Sequence, residues 1–291
     1  MALHAVLSAF RQLVLDGMDL PRSQAERATL YRNRFPQLST EELEDLSKIE
    51  PDRIGVYTTS VFTAEGSILK SAFPLTLSLI EGWWPAASGS FSPRALAQAV
   101  HAVAPWRGIH SMSLGECLAR YVDACCSDLQ EQKPWLRDAV RLEQATLEIR
   151  KAPTEPTQPQ DATVLERCAE MKVEELLQLS AYIPTLLHHL NVSYDIMPAR
   201  RAAVEGDPLR DCEKRDRSLV GARPHDYGVL WVDVPEEIAQ LLVASRGSTI
   251  SLGCVADAFP SSDEGEEATF RAFYALIGEL VSSGALTIGH D

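Results

Sequence analysis

The sequence has few basic residues for its length, and this shortage narrows the classes of partner that we expect. Its 291 residues include 27 Lys and Arg against 41 Asp and Glu, so that the net charge is −14. A strongly acidic chain repels phosphate backbones and anionic lipid head groups. We therefore expect neither a nucleic acid nor a membrane as a partner.

Several signals of export are also missing. The six cysteines show no C-x-x-C spacing, and the adjacent pair Cys125–Cys126 has poor geometry for a disulfide. His4 and Arg11 interrupt the N-terminal stretch, which lacks the basic start and the continuous apolar core of a signal peptide. No apolar run approaches membrane-spanning length. Together these absences predict a cytoplasmic protein.

Motifs that carry catalysis or bind a cofactor are absent as well. The sequence contains no H-E-x-x-H, no P-loop, no dinucleotide-binding glycine pattern and no G-x-S-x-G. The adjacent His188 and His189 would face opposite sides of a strand and would not share one metal ion. We therefore predict no catalytic residue, no metal site and no cofactor in this chain.

The apolar pattern predicts a mainly α protein with two domains. Helical spacing of apolar residues recurs through residues 1–151, which we interpret as an N-terminal helical bundle. Residues 152–162 contain three prolines and have the composition of a linker. Residues 163–291 then show strands, three helices and a short strand, the order of an α+β winged-helix-like module.

Local signals place the elements of this C-terminal module. Pro184 within residues 182–190 predicts an edge strand. Residues 217–222 and 227–234 flank a turn and predict a hairpin. Three helices are expected to follow. The first begins at Pro235, the second at Ser248 or Ser251, and the third extends from about 266 to 283. Gly284 is expected to end the third helix.

A winged helix often binds DNA, but the charge of this one argues against it. Residues 223–291 hold three arginines and no lysine against eleven carboxylates. Four of the acids open the helix that would enter the groove, where they would face phosphates. A basic stretch between Arg200 and Arg223 is interleaved with acids, and is either a solvated loop or a docking patch.

Apolar residues of the last helix suggest a different ligand. Phe270, Phe273, Tyr274 and Ile277 recur at helical spacing, and the strand beginning at Val229 would lie beside them. An extended peptide could add a strand in the groove between them, using backbone hydrogen bonds that do not depend on charge. Separately, the pair Trp83–Trp84 next to a loop is typical either of an interface anchor or of a buried core.

Four stretches in order resemble the HvfC family. They are Pro51-Asp-Arg-Ile-Gly-Val-Tyr57 with Phe62 and Phe73-Pro74, then Pro134-Trp-Leu-Arg-Asp-Ala-Val-Arg-Leu-Glu143, then Ile183-Pro-Thr-Leu-Leu187, and finally the C-terminal hairpin with its three helices. The resemblance covers nearly the whole chain. The family's N-terminal domain is often labelled DNA-binding, and the charge of this sequence departs from that label.

The resemblance implies a partner role in the modification of a peptide. Members of the family accompany TIM-barrel, multi-iron oxygenases, here of the TglH kind, which hold the iron themselves. By resemblance, this chain would bind a ribosomal precursor (carrier) peptide and present its C-terminal cysteine for β-carbon excision in thiaglutamate-type natural product biosynthesis. The peptide would lie on Val229, Leu230, Trp231, Val232, Phe270 and Tyr274, and Trp83 and Trp84 would meet the oxygenase.

Two other hypotheses remain open from the sequence. The chain would be a winged-helix transcription regulator if the C-terminal module bound a DNA duplex. It would be an enzyme subunit if one of its histidines or cysteines entered the active site of the partner.

Overall fold

The chain forms two compact units, Met1–Leu129 and Gln130–Asp291, and it is mainly helical with two small antiparallel sheets. The computed structural model describes residues 2–17, 19–85, 88–104, 113–152, 162–224, 228–261 and 265–289. This architecture confirms the prediction of a mainly α protein. Of the helices in these ranges, none combines the length and the apolar character needed to cross a membrane.

The first unit is built of helices, as the apolar periodicity predicts. Their starts follow from local chemistry: the side chains of Ser39, Ser92 and Ser113 each accept a hydrogen bond from the first turn of the helix that follows. The helices are α1 Ala2–Asp16, α2 Gln24–Arg34, α3 Thr40–Ser47, α4 Pro51–Ala72, α5 Pro74–Trp83, α6 Pro93–Val103 and α7 Leu114–Cys125, and α8 Ser127–Gln132 runs into the second unit.

Helix α4 runs without a break from Pro51 to Ala72, and α5 begins at Pro74. The helix passes through Gly66, where the backbone of Pro93 in α6 lies so close that a Cβ would come within 2.7 Å of it. The glycine therefore serves the packing of two helices rather than a turn.

The second unit begins before the predicted linker at 152–162. Apolar residues between Leu136 and Ile149 form the buried side of α9 Leu136–Lys151, and α9 packs on a sheet of the second unit. The division into units therefore follows α9, which the sequence assigns to the 1–151 domain. Residues 153–161 of the predicted linker lie outside the described residues.

The second unit carries two three-stranded antiparallel sheets. Its strands are β1 Ser180–Tyr182, β2 His188–Tyr194, β3 Lys214–Ala222, β4 Leu230–Val234, β5 Thr249–Ser251 and β6 Thr287–Ile288. Its further helices are α10 Ala162–Glu170, α11 Val173–Gln178, α12 Met197–Glu205, α13 Glu236–Ala244, α14 Leu252–Asp257 and α15 Glu266–Ser282. The strand orders are β5-β1-β6 in sheet A and β2-β3-β4 in sheet B.

The hairpin and the three following helices confirm the sequence prediction, whereas the single strand at 182–190 is wrong. Pro184 lies between β1 and β2, which belong to different sheets, and β1 is the central strand of sheet A rather than an edge. Gly284, with φ of 73°, follows the end of α15 as predicted. Its left-handed conformation lets the N–H of Ala285 return to the carbonyl of Leu280 at 2.9 Å.

The two glycines of α4 give opposite stability predictions. We expect Gly66→Ala to lower the free energy of unfolding by about 1–3 kcal/mol, because the new methyl group would collide with the backbone of Pro93. Gly55→Ala should raise it by about 0.5–1 kcal/mol, because that position is exposed and open. Denaturant unfolding of the two variants checks the sign, and equal effects would contradict the close packing of α4 on α6.

Candidate functional site

Strand β4 leaves one edge of sheet B open. It pairs with β3 in the register Ser218↔Val234 to Ala222↔Leu230, and its other edge pairs with no strand among the described residues. Beyond β3, no described residue shares a hydrogen bond with the β4 backbone. An unpaired edge presents a row of backbone donors and acceptors that an extended segment can bind.

The opposite edge of sheet B is engaged by α9. Asp138 Oδ2 accepts a hydrogen bond of 2.7 Å from the backbone N–H of Ser193, and Arg141 donates to the carbonyl of Asn191 at 3.1 Å. Both of these backbone groups belong to β2. The two edges of sheet B therefore differ, because the outer edge of β4 has no such hydrogen bond among the described residues.

The pleat of β4 divides its side chains between two sides of the sheet. Val232 and Val234 are buried in the same apolar cluster as Phe273 and Ile277 of α15, and Leu230 shares their side by alternation but is 43% exposed. Trp231 and Asp233 point to the other side. Leu230 is thus the exposed apolar residue of β4 that lies next to the free edge on the α15 side.

Trp231 is held by α9 and by a glycine of the neighbouring strand. Its indole Nε1 donates to Thr146 Oγ1 at 3.0 Å, and Thr146 in turn donates to the carbonyl of Leu142 at 2.7 Å. Gly221, its cross-strand partner, has no room for a Cβ, which would lie 2.7 Å from the indole ring. Sequence analysis missed Thr146 and Gly221, although a glycine inside a predicted strand is a known sign of close approach.

The six residues assigned to peptide binding therefore do not form one surface. Val232 lies in the apolar cluster against which Phe270 and Tyr274 are packed half-buried, and Val229 is buried just before β4. Trp231 faces α9, on the side of sheet B opposite to this cluster. Successive residues of a strand point to opposite sides of the sheet, so the contiguous residues 230–232 cannot all present their side chains on one surface.

Helix α15 provides the other wall beside the free edge. Its buried residues Phe273 and Ile277 fill the core, and Phe259 meets Phe273 edge to face at 5.7 Å. Phe270 and Tyr274 lie at the margin of that core. Burial raises the pKa of the Tyr274 hydroxyl, and Cys168 of α10 is close enough to raise this pKa further. Helix α10 therefore lies close to the side of α15 that carries Tyr274.

Charged residues of the second unit include acids on α15 and arginines that make internal contacts. Glu266 and Glu267 occupy the first turn of α15. Within the basic stretch, Arg217 makes ion pairs with Asp195 at 2.6 Å and with Asp233. Arg223 donates to the carbonyl of Arg150 at 3.0 Å. These arginines are committed to internal contacts, so they do not form a free basic surface.

The tryptophan pair at the end of α5 lies in the first unit. Trp83 and Trp84 are both half-buried, and Trp84 meets Phe91 edge to face at 5.3 Å. The indole N–H of Trp84 is buried without a hydrogen-bond partner among the described residues. The pair is neither a fully buried core element nor a freely exposed anchor.

Comparison with known proteins adds no relative. A scan against protein-family models and a search of curated proteins find no match to this sequence.

Acidification should destabilise the second unit through His188. This histidine lies on the α9 side of β2, and burial lowers its pKa below the ordinary 6.5 despite the opposing influence of Glu148. The unfolded chain therefore binds the proton more readily, and stability is lost as the pH falls through 6.5 toward the lower folded pKa.

The substitution His188→Phe removes this proton-binding group. We expect the free energy of unfolding of the variant, relative to the natural chain, to rise as the pH falls from about 7.5 to 5, across the ordinary titration range of histidine. Chemical denaturation at several pH values measures the difference. A difference that stays constant over this range would contradict the lowered pKa of His188.

Proposed function

We propose that this chain is a non-catalytic adaptor that binds a ribosomal precursor peptide and presents its C-terminal cysteine to a TIM-barrel, multi-iron oxygenase. The reaction would be β-carbon excision in thiaglutamate-type natural product biosynthesis, and the iron would belong to the partner. The observation that carries the peptide-binding part is the open edge of β4 beside α15. The identity of the partner rests on the resemblance to the HvfC family.

The C-terminal module would act as a winged-helix-like recognition element. Its order α13, β5, α14, α15, β6 follows the succession of helices and strands in a winged helix, and sheet B precedes it. A peptide strand added to β4 would place alternate side chains toward Leu230 and Phe270. The backbone would supply the hydrogen bonds, so that the acidity of the module would not oppose binding.

Separating peptide binding from catalysis has a physical benefit. The oxygenase must hold its iron ligands on a rigid scaffold. An adaptor that grips a remote part of the peptide raises the effective concentration of the reacting cysteine at the iron site. Such a protein needs affinity and position, and it needs no catalytic residue of its own.

The alternative function, a transcription regulator, is disfavoured by charge. Glu266 and Glu267 open α15, the helix that would enter the major groove, and three arginines face eleven carboxylates over residues 223–291. A regulator would bind duplex DNA with an affinity that rises as the salt concentration falls. We expect a flat titration with duplex DNA at low salt, and salt-dependent binding would favour the regulator.

Purification of the tagged chain from its native cell extract tests the partnership. We expect an iron-containing barrel enzyme to co-purify in near-equal amount, identified by mass spectrometry and iron assay. Recovery of the chain alone, or with nucleic acid, would reject the adaptor function.

The substitution Leu230→Asp tests the binding edge. Because a carboxylate beside the open strand would be desolvated by the bound peptide, we expect the affinity for the precursor peptide to fall at least ~10-fold. Val204→Asp is the matched control, since Val204 is 65% exposed on α12, outside β4 and α15. Calorimetric titration measures both variants, and equal affinities would remove β4 from the binding site.

A further inference from the structure

Four polar side chains meet on the side of sheet B that carries α13. They are His189 and Asn191 of β2, Ser218 of β3, and Glu236 in the first turn of α13. Asn191 pairs with Ser218 in the β2–β3 register, and His189 shares the side of Asn191 because it lies two residues away on the same strand. Three elements therefore bring an imidazole, an amide, a hydroxyl and a carboxylate to one place.

One atom of each side chain belongs to a compact group of four. Asn191 Oδ1 lies 2.8 Å from His189 Nε2 and 2.7 Å from Ser218 Oγ. His189 Nε2 lies 3.5 Å from Ser218 Oγ and 3.7 Å from Glu236 Oε2. Ser218 Oγ also contacts Glu236 Oε2 directly. The four atoms thus form a closed group rather than a chain of separate pairs.

This group holds fewer hydrogen atoms than its contacts require. The single hydroxyl hydrogen of Ser218 can go either to Asn191 Oδ1 or to Glu236 Oε2, and both of these oxygens only accept. His189 Nε2 carries at most one further hydrogen. With the amide oriented in this way, two oxygens remain in close contact with no hydrogen between them. A positive ion bound by these oxygens would remove the repulsion.

The spacing and the chemistry of the four atoms suit a metal ion. Donors that bind one Zn²⁺ ion at about 2.1 Å lie about 3.0–3.4 Å from one another. The separations of 2.7, 2.8, 3.5 and 3.7 Å bracket this range. One imidazole nitrogen among oxygen donors favours a transition metal over Mg²⁺ or Ca²⁺, which prefer oxygen alone.

We propose that His189, Asn191, Ser218 and Glu236 bind a divalent transition-metal ion such as Zn²⁺. The ion would fasten the first turn of α13 to β2 and β3. This proposal departs from the sequence-based expectation of no metal site, which considered histidines that are close in sequence. His188 and His189 do face opposite sides of β2, but the other donors come from β3 and α13.

The hydrogen bonds of Glu236 leave one of its oxygens for the ion. Its Oε1 accepts a hydrogen bond of 2.9 Å from Gln240 Nε2, whereas its Oε2 contacts Ser218 and faces His189. Metal-binding carboxylates commonly have such a second partner, which fixes their orientation. The hydrogen bonds from Ser218 and Gln240 also lower the pKa of Glu236, so that the carboxylate is ionised and able to bind a cation.

A recess next to the group gives an ion access from solvent. Its volume is about 670 Å³, and Asn191, Ser218 and Glu236 all line it. Its other charged lining residues are two of each sign, Arg215, Arg217, Asp216 and Asp233. Glu236 therefore leaves the recess with one excess negative charge, which favours a cation.

Titration of the full chain with Zn²⁺, after removal of bound metal with a chelator, tests the site. We expect one ion per chain with a micromolar dissociation constant, because two of the four donors are neutral oxygens. Glu236→Gln and His189→Gln should each raise this constant at least ~10-fold, as expected when a ligand is lost. Glu237→Gln and His188→Gln are the matched controls. They remove the same chemical groups one position away, and they should bind Zn²⁺ like the natural chain.

X-ray absorption at the zinc edge identifies the donors of the one-ion complex. We expect nitrogen and oxygen donors at about 2.0–2.2 Å and no sulfur at about 2.3 Å. A sulfur signal would place the ion on cysteines, of which Cys125 and Cys254 are exposed, and it would overturn the proposal. Leu230→Asp should bind Zn²⁺ like the natural chain, so that this test is independent of peptide binding.

Two further results would overturn the proposal. The first is the absence of binding tighter than millimolar. That result is expected if the Asn191 amide is turned, so that Nδ2 donates to Ser218 and His189 and closes the network without an ion. The second is an equal affinity for Zn²⁺ in Glu236→Gln and Glu237→Gln. Circular dichroism at matched concentration confirms that the variants are folded.

Discussion

The contact of Trp231 with α9 and Gly221 determines which side chains of β4 lie beside the free edge of sheet B. The indole lies against the bare backbone of Gly221 and donates to Thr146, whose hydroxyl is itself bonded to the carbonyl of Leu142. Because side chains alternate along a strand, placing Trp231 toward α9 places Leu230, Val232 and Val234 toward α15. The same helix binds the backbone of β2 through Asp138 and Arg141. Helix α9 thus contacts the β2 edge of sheet B and also fixes which side chains of β4 face α15.

The open edge and the acidity of the surrounding surface are compatible for a simple reason. Strand addition relies on backbone hydrogen bonds, which are the same in an acidic and in a basic module. Two arginines of the second unit make internal contacts: Arg217 bridges Asp195 and Asp233, and Arg223 donates to the carbonyl of Arg150 at 3.0 Å. The acidity of the module is therefore no obstacle to the proposed addition of a peptide strand.

Local chemistry determines several elements of this protein. Ser92 followed by Pro93, and Ser113 with Glu116, begin helices because their side chains satisfy backbone N–H groups within a few residues. Gly284 ends α15 because glycine adopts positive φ without steric cost. The acidic charge of the C-terminal module, and hence the argument against DNA, was likewise readable from composition.

Other features were decided by contacts between distant residues. The sequence did not reveal that α9 belongs with the second unit, because this depends on Thr146 meeting Trp231, 85 positions away. Nor did it reveal which side of sheet B Trp231 faces, or that residues 180–194 are divided between two sheets. A strand pattern states that side chains alternate, but the partners packed on each side determine which of them is exposed.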